Sequence, residues 1–480
     1  MSNANYEITV GLEIHVELKT ETKAFCRCKN QFGASINTNT CPVCMGLPGA
    51  IPTINKKCVE YAIRSGLAFD SDINEISVFE RKNYFYPDLS KAYQISQLKK
   101  PFCVGGKVRY KLNGEEKFTR LDNIHMEEDA GKSVHDAKNN KSYVDFNRCG
   151  VPLIEIVTMP DIHSSEEAVA TLNSIKETLV AIGVSDCKMQ EGSLRCDVNL
   201  SVRKVGDAVL GTRTEMKNLN SFKAVARAIE YEANRQIEVL ENGGKIRQIT
   251  LKWDDDKGEN EELRSKEAGN DYRYFPDPDL LPVRITPDYL QKIKSTMPEL
   301  PFDRKNRYMR DFGLTENEAE TITSKANVIE LFEECLKLKN EPKVLCNWIL
   351  TDIMRKLKES LDDEPKIQIT AKNLVDLINM FQNKEISINN AREVLDIVWQ
   401  SGESVVEVAE KNGMKQDNNE DSVKQIVLQV IEQNPQAVAD FKGGNERAKT
   451  FFVGQVMKLS RGKANPQIVG KILDEELNKK

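Results

Sequence analysis

Residues 6–19, YEITVGLEIHVELK, alternate: Ile8, Val10, Leu12, Ile14, Val16 and Leu18 are apolar, with Thr9, Gly11, Glu13, His15, Glu17 and Lys19 between them. Strand side chains point to opposite faces with a period of two, so this segment is predicted to be a strand with one face for a core and one carrying Glu13, His15 and Glu17. Neighbours on that polar face stand about 6.6 Å apart, a spacing from which they can converge on one cation. A solvated outer face would show the same pattern, and this strand alone does not choose between the two readings.

Other segments resemble it. SLRCDVNLSVR (193–203) puts Leu194, Cys196, Val198 and Leu200 on one side and Arg195, Asp197, Asn199 and Ser201 on the other, a set of donors and acceptors suited to phosphate or a hydrated metal. VPLIEIVTM (151–159) holds a single acid, Glu155, in an apolar run, where a carboxylate is costly without a partner: either a functional group or one arm of a structural ion pair. HMEEDAGKS (125–133) carries Glu127, Glu128 and Asp129 in a row, a pattern that is usually solvated surface. Its end, Gly131-Lys132-Ser133, imitates a P-loop, but Met126 stands where the first glycine is required, so any use of ATP lies outside the P-loop class.

Cys26 and Cys28 are followed, after twelve residues, by Cys41 and Cys44. Two close thiol pairs joined by a short loop can wrap a tetrahedral zinc, and four thiolates make a closed, structural site. The one-residue gap of the first pair is tighter than the common spacing. No nucleophile motif is present, and Cys196 falls on the apolar side of its strand, as an inert core thiol does. Nothing here hydrolyses an amide, so ammonia, if consumed, comes from another chain.

With 40% hydrophobic and 30% charged residues over 480 positions, the chain reads as several globular domains. No apolar run is long enough to cross a bilayer, and the start, MSNANYEITV, lacks the marks of a signal peptide, so a cytoplasmic or organelle-matrix protein is expected. Eleven cysteines in such a chain argue for thiols and metal ligands over disulfides. The net charge of −6 requires any RNA contact to be a local basic surface.

The expected fold class is α+β. Residues 1–295 read as a mixed, sheet-centred domain with a helix over 221–241, capped by Asn218, Asn220 or Ser221 and stopped at Asn242-Gly243-Gly244. A helical domain is expected over 296–408, a polar linker over 409–422 and a small helical tail domain over 423–480.

The strings VGLEIHVELKT (10–20), RKNYFYPDLSKAYQISQ (81–97), HMEEDAGKS (125–133), PLIEIV (152–157), EGSLRCDVN (191–199), EMKNLNSF (215–222), DYRYFPDPDLLP (271–282) and FFVGQVMKLSRGKANPQ (451–467) together resemble the B subunits of the GatCAB tRNA-dependent amidotransferases. They span essentially the whole chain. The resemblance implies a catalytic cradle domain (1–295) with a zinc knuckle at 26–44, then the helical domain and a YqeY-like tail. It also implies a carbon–nitrogen ligase with glutamine as amido donor. In such enzymes the side-chain carboxylate of Glu-tRNA(Gln) or Asp-tRNA(Asn) is phosphorylated by ATP, and the acyl phosphate is displaced by ammonia. The amidase (GatA) supplies the ammonia, the small GatC protein completes the heterotrimer, and a non-discriminating synthetase is a further possible partner.

By the same resemblance, Glu13, His15, Glu128 and Glu155 fall on the motifs of the catalytic magnesium site. Direct ligation by His15 is the odd element, because Mg²⁺ prefers oxygen. Lys82, Asn83, Tyr84, Tyr86, Lys91, Tyr93 and Gln94 are assigned to the nucleotide and the CCA end, with Tyr84 and Tyr86 stacking bases and Lys91 on phosphate. Arg195, Asp197, Asn199, Lys217 and Asn220 complete that set. The knuckle occurs in only part of the family, and here Cys26, Cys28, Cys41 and Cys44 are all present. The tail resembles a module that recognises the tRNA body, and from Lys442 to Lys471 seven Lys or Arg face one acid, Glu446. The competing reading is a non-catalytic tRNA-binding scaffold in the same kind of complex.

Overall fold

The computed structural model describes residues 5–136, 138–265, 272–360, 366–416, 419–442, 447–460 and 463–478. Asp271, Glu446 and Arg461, which belong to segments quoted above, lie outside them. The chain forms two compact units, Met1–Asp303 and Arg304–Lys480.

In the first unit the alternating segment is the strand Tyr6–Glu17, and it lies in the interior of a ten-stranded sheet of the described residues. It pairs antiparallel with Pro152–Thr158 on one side and Leu194–Lys204 on the other. Beyond Pro152–Thr158 comes Glu115–Glu128, antiparallel; beyond Leu194–Lys204 comes Thr214–Lys217, antiparallel, and then Ile249–Asp254, parallel to it. The apolar positions coincide on one face. Leu12, Ile14, Ile154, Ile156, Ile124, Met126, Cys196 and Val198 are all buried in a single cluster with Ile63, Leu172, Ile175, Ala228 and Ile229 from three helices. Each fully buried aliphatic side chain contributes roughly 1.5–3 kcal/mol relative to exposure, so the alternation alone fixes which face turns inward.

Those helices begin where local chemistry allows. Asn55, Ser164 and Ser221 each accept a backbone N–H of the first turn of Lys56–Ala68, Ser165–Ala181 and Phe222–Glu241 respectively, filling one of the donors a helix start leaves open. The last is the helix expected over 221–241, capped by Ser221 and ended at Asn242.

In the second unit the described residues form helices and no strand. One apolar cluster runs from Tyr308 to Ala409 and a separate one from Val423 to Leu477. The helix Val405–Lys411 enters the segment expected as a linker, and the next begins at Glu420. Of the basic run near the end, Lys449 pairs with Asp474 at 2.6 Å and Lys471 with Glu420 at 3.0 Å.

Candidate active site and cysteine knuckle

Strand register builds the polar face. His15 lies opposite Glu155 on one neighbour and Arg195 on the other, and Glu155 lies opposite His125 one strand further out, giving a row Arg195, His15, Glu155, His125. One step along, Glu13 lies opposite Asp197. Two clusters result. In the first, ligand atoms of His15, Glu127 and Glu155 all lie within 4.8 Å of one another; in the second, those of Glu13, Asp197 and Glu215 do.

The first cluster is knit by histidines. His125 Nε2 is 3.2 Å from Glu155 and 3.4 Å from Glu127, and His15 Nε2 is 3.5 Å from the same Glu155 oxygen. Glu127 also accepts from Ser96 Oγ at 2.6 Å and Gln94 Nε2 at 3.0 Å. Burial opposes charge on Glu127, but the Lys82 ammonium and His125 outweigh it and hold the carboxyl at about 2. Glu155, likewise opposed by burial, is held well below the carboxylate range by hydrogen bonds from His125 and His15. Burial disfavours the imidazolium of His125, yet Glu127 and Glu155 lift it to about 10. Burial also opposes the charge on Lys82, and the carboxylate of Glu127 outweighs it, so that lysine is raised too.

In the second cluster Asn199 Nδ2 donates to Glu13 at 2.9 Å, Thr250 Oγ1 to Glu215 at 3.0 Å, and Lys217 binds both Asp197 and Glu215. Burial, then the nearby Glu155, raises Glu13 above the usual carboxylate range. A group that resists ionisation for want of a counter-charge is one that a cation would ionise. Oxygen donors from three carboxylates suit a hard divalent ion, and Asn199 and Lys217 orient them.

Of the residues singled out in the sequence, Glu13, Asp197, Asn199 and Lys217 come together, as do His15 and Glu155. Glu128 is not with them. It follows Glu127 with opposite parity at the strand end, pairs with Lys91 and accepts the backbone N–H of Ile95 at 3.0 Å. Gln94 reaches Glu127 and the carbonyl of Glu128, and Tyr84 stands edge-on to Tyr272 with its hydroxyl 3.4 Å from Gln94. Tyr93 lies under the Arg81 guanidinium at 4.2 Å. Asn83 is occupied by the carbonyls of Arg81 and Arg273, and Arg195 by Asp129 at 2.7 Å. Tyr86 and Asn220 are exposed.

His125 and Glu215 have no role in the sequence reading, which groups Glu127 with Glu128 and Asp129 as a run of the usually solvated kind. Those three acids of the run are instead all buried, because each finds a charged partner. For His125 and Glu127 the signal was present: Ile124-His125-Met126-Glu127 alternates as the first strand does, and parity places Glu127 beside His125. Glu215, opposite Asn199, needed the register.

The cysteines also converge. Sulfurs of Cys26, Cys28, Cys41 and Cys44 all lie within 4.8 Å of one another, with Cys41 and Cys44 at 3.9 Å. Zinc–sulfur bonds of about 2.3 Å at tetrahedral angles put sulfurs about 3.8 Å apart, so the four thiols fit such an ion. Cys41 N–H points at the Cys44 sulfur at 3.2 Å, and Cys44 is drawn down to about 4 by the Cys26 thiol and the Lys23 ammonium.

The profile of the GatB/GatE catalytic domain family matches residues 8–291, and that of a GatB domain matches residues 330–477. The chain is 50% identical over 477 residues to the B subunit of the aspartyl/glutamyl-tRNA(Asn/Gln) amidotransferase of Caldicellulosiruptor saccharolyticus, covering 99% of both chains. It is 47% identical over 474 residues to the proteins of that name from Lachnoclostridium phytofermentans, covering 99% of both, and Thermoanaerobacter pseudethanolicus, covering 99% of this chain and all of the relative. With its carboxylate face inside the matched catalytic domain and its whole length shared with such relatives, the chain belongs to the family of aspartyl/glutamyl-tRNA(Asn/Gln) amidotransferase B subunits.

Proposed function

We propose that this chain activates the side-chain carboxylate of Glu-tRNA(Gln), Asp-tRNA(Asn) or both with ATP, and amidates it with ammonia delivered by a partner that hydrolyses glutamine. The observation that carries the reading is the pair of carboxylate clusters on adjacent positions of one sheet face. A carboxylate has no competent leaving group until an oxygen is phosphorylated, and phosphoryl transfer asks a protein mainly for positioned charge. Glu13 with Asp197 and Glu215, and Glu155 with Glu127 and His15, are the residues that would hold Mg²⁺, which supplies charge neutralisation for the phosphates.

The protein's own groups divide the remaining work. Asn199 and Lys217 fix the orientation of Glu13, Asp197 and Glu215. His125 and His15 hold Glu155 ionised, and Gln94 with Ser96 hold Glu127. Lys82 and Lys91 are the cations for the transferring phosphoryl group, with Glu128 acting through Lys91, and Tyr84 and Tyr86 take the bases of the CCA end. Arg195 fixes Asp129, Asn83 ends the strand Glu80–Asn83 and pairs with Tyr93, and Asn220 is an exposed loop residue; with Tyr93 they complete the set that takes the nucleotide and the CCA end. The four cysteines hold Zn²⁺.

Residues 1–295 act as the catalytic cradle, 296–408 as a helical connector, 409–422 as a linker and 423–480 as the tRNA-body module. The partners are the amidase (GatA) and the small GatC protein in a cytoplasmic heterotrimer, with the cognate synthetase in attendance.

The test is phosphate release from ATP by the co-purified complex, with Glu-tRNA(Gln) against uncharged tRNA, for wild type and Glu155→Gln. Release that requires charged tRNA and is lost in the variant is expected; release indifferent to both would make this chain a scaffold. Removing residues 411–480 is expected to weaken tRNA use and spare ammonia production by the partner.

A further inference from the structure

The knuckle and the Lys91–Glu128 pair meet in one packed knot. Lys23 is fully buried; its ammonium donates to Asn39 O at 2.7 Å and lies 3.7 Å from the Cys44 sulfur. A buried ammonium needs negative charge beside it, and thiolates provide it. The backbone of the same cysteine is held from the other side, where Ser90 Oγ donates to Cys44 O at 2.6 Å. Ser90 precedes Lys91, so this bond ties the cysteine loop to the lysine's own backbone.

Two glycines show how close the packing is. Gly46 sits at φ +65°, and a Cβ there would fall 2.7 Å from Lys91 Cγ and 3.1 Å from Lys91 Cα. Gly150, at φ +80°, faces Cys44, Glu128 and Lys23 together: an added Cβ would stand 3.5 Å from Cys44 Cβ and 3.7 Å from both Glu128 Oε2 and Lys23 Cδ. The CPVC loop therefore lies against the stem of Lys91, whose ammonium binds Glu128 and sits over the rings of Phe25 and Tyr93.

We infer that the four-cysteine knuckle is the positioning element of the Lys91–Glu128 pair, with Ser90 and Lys23 as the residues that transmit its geometry. This rests on the reading above, in which Lys91 serves the phosphoryl group. The knuckle would then do more than hold its own loop: the loop clamps a lysine stem, and the lysine presents its charge at a fixed depth beside the catalytic face. Ser90 is assigned to act through the backbone it holds, so it is a positioning residue.

The test uses the full complex carrying Ser90→Ala, Ser90→Thr or Lys91→Ala. Two properties are read: charged-tRNA-dependent phosphate release, and the rate at which a chelating dye withdraws zinc. Losing one hydrogen bond that sets a side chain's position is expected to lower kcat about tenfold in Ser90→Ala, with the KM for ATP within about twofold. Zinc should leave several-fold faster, because the lost hydrogen bond is the one that holds the backbone of Cys44. Ser90→Thr, which keeps the hydroxyl, should restore both properties. Wild-type kcat in Ser90→Ala while Lys91→Ala is slow would overturn the inference alone, as would a complex that binds no zinc. Wild-type kcat in Lys91→Ala would bring down the underlying reading and the inference with it.

Discussion

His125 Nε2 lies 3.2 Å from the carboxylate of Glu155, at directly opposed positions of two antiparallel strands. His15 approaches the same oxygen from the next strand at 3.5 Å. Glu155 is thus the middle of a three-strand row, and Glu155→Gln removes the charge that both imidazoles face. Charged-tRNA-dependent phosphate release should fall at least about a hundredfold, as when a preorganised electrostatic group is lost. Steady-state phosphate assays on folded complex decide it; near-normal turnover would remove Glu155 from the machinery.

Asn199 holds Glu13 from the adjacent strand at 2.9 Å. Asn199→Ala should raise the Mg²⁺ concentration for half-maximal activity by roughly 10-fold or more, the usual cost of an outer-shell partner, with maximal rate at saturating metal less affected. A Mg²⁺ titration of phosphate release measures this, and an unchanged half-saturation point would count against a metal at Glu13.

Ile14 is fully buried on the apolar face, directly between Glu13 and His15 in the chain. Ile14→Ala should destabilise the fold by about 2–5 kcal/mol, the range for emptying a large aliphatic site. Chemical denaturation of the purified complex reads it, and a loss below about 0.5 kcal/mol would contradict the packing described.

Cys41→Ser should leave the protein without stoichiometric zinc and lower its melting temperature by several degrees, since metal binding to a folded site is folding free energy. Metal analysis with thermal melting checks both. A zinc-free preparation that melts with the wild type would show that the thiols stand close without needing an ion.

The fold was legible where one period dominated. Ile8 to Leu18 announced a two-faced strand, and the helix ending at Asn242 was readable from its cap and its spacing. The site was legible as a face and less so as a set of contacts. Glu13, His15 and Glu155 could be marked as polar groups that needed company, but which carboxylates join depends on register between strands far apart in sequence. Glu215 meets Glu13 only because Asn199 pairs with Glu215. The run Glu127-Glu128-Asp129 hid three destinations behind one charge pattern. Alternation sends Glu127 to the histidines, Glu128 goes to Lys91, and Asp129 goes to Arg195 and Arg148.

From Leu12 to His15 the Tyr6–Glu17 strand alternates core and site residues without a break. A single-residue insertion or deletion within it would slide the whole segment by one position, sending Leu12 and Ile14 toward water and Glu13 and His15 into hydrocarbon. Substitutions there can be graded in cost; changes of length cannot, because one error would abolish folding and catalysis together. The strand acts as a reading frame that the neighbouring strands must keep.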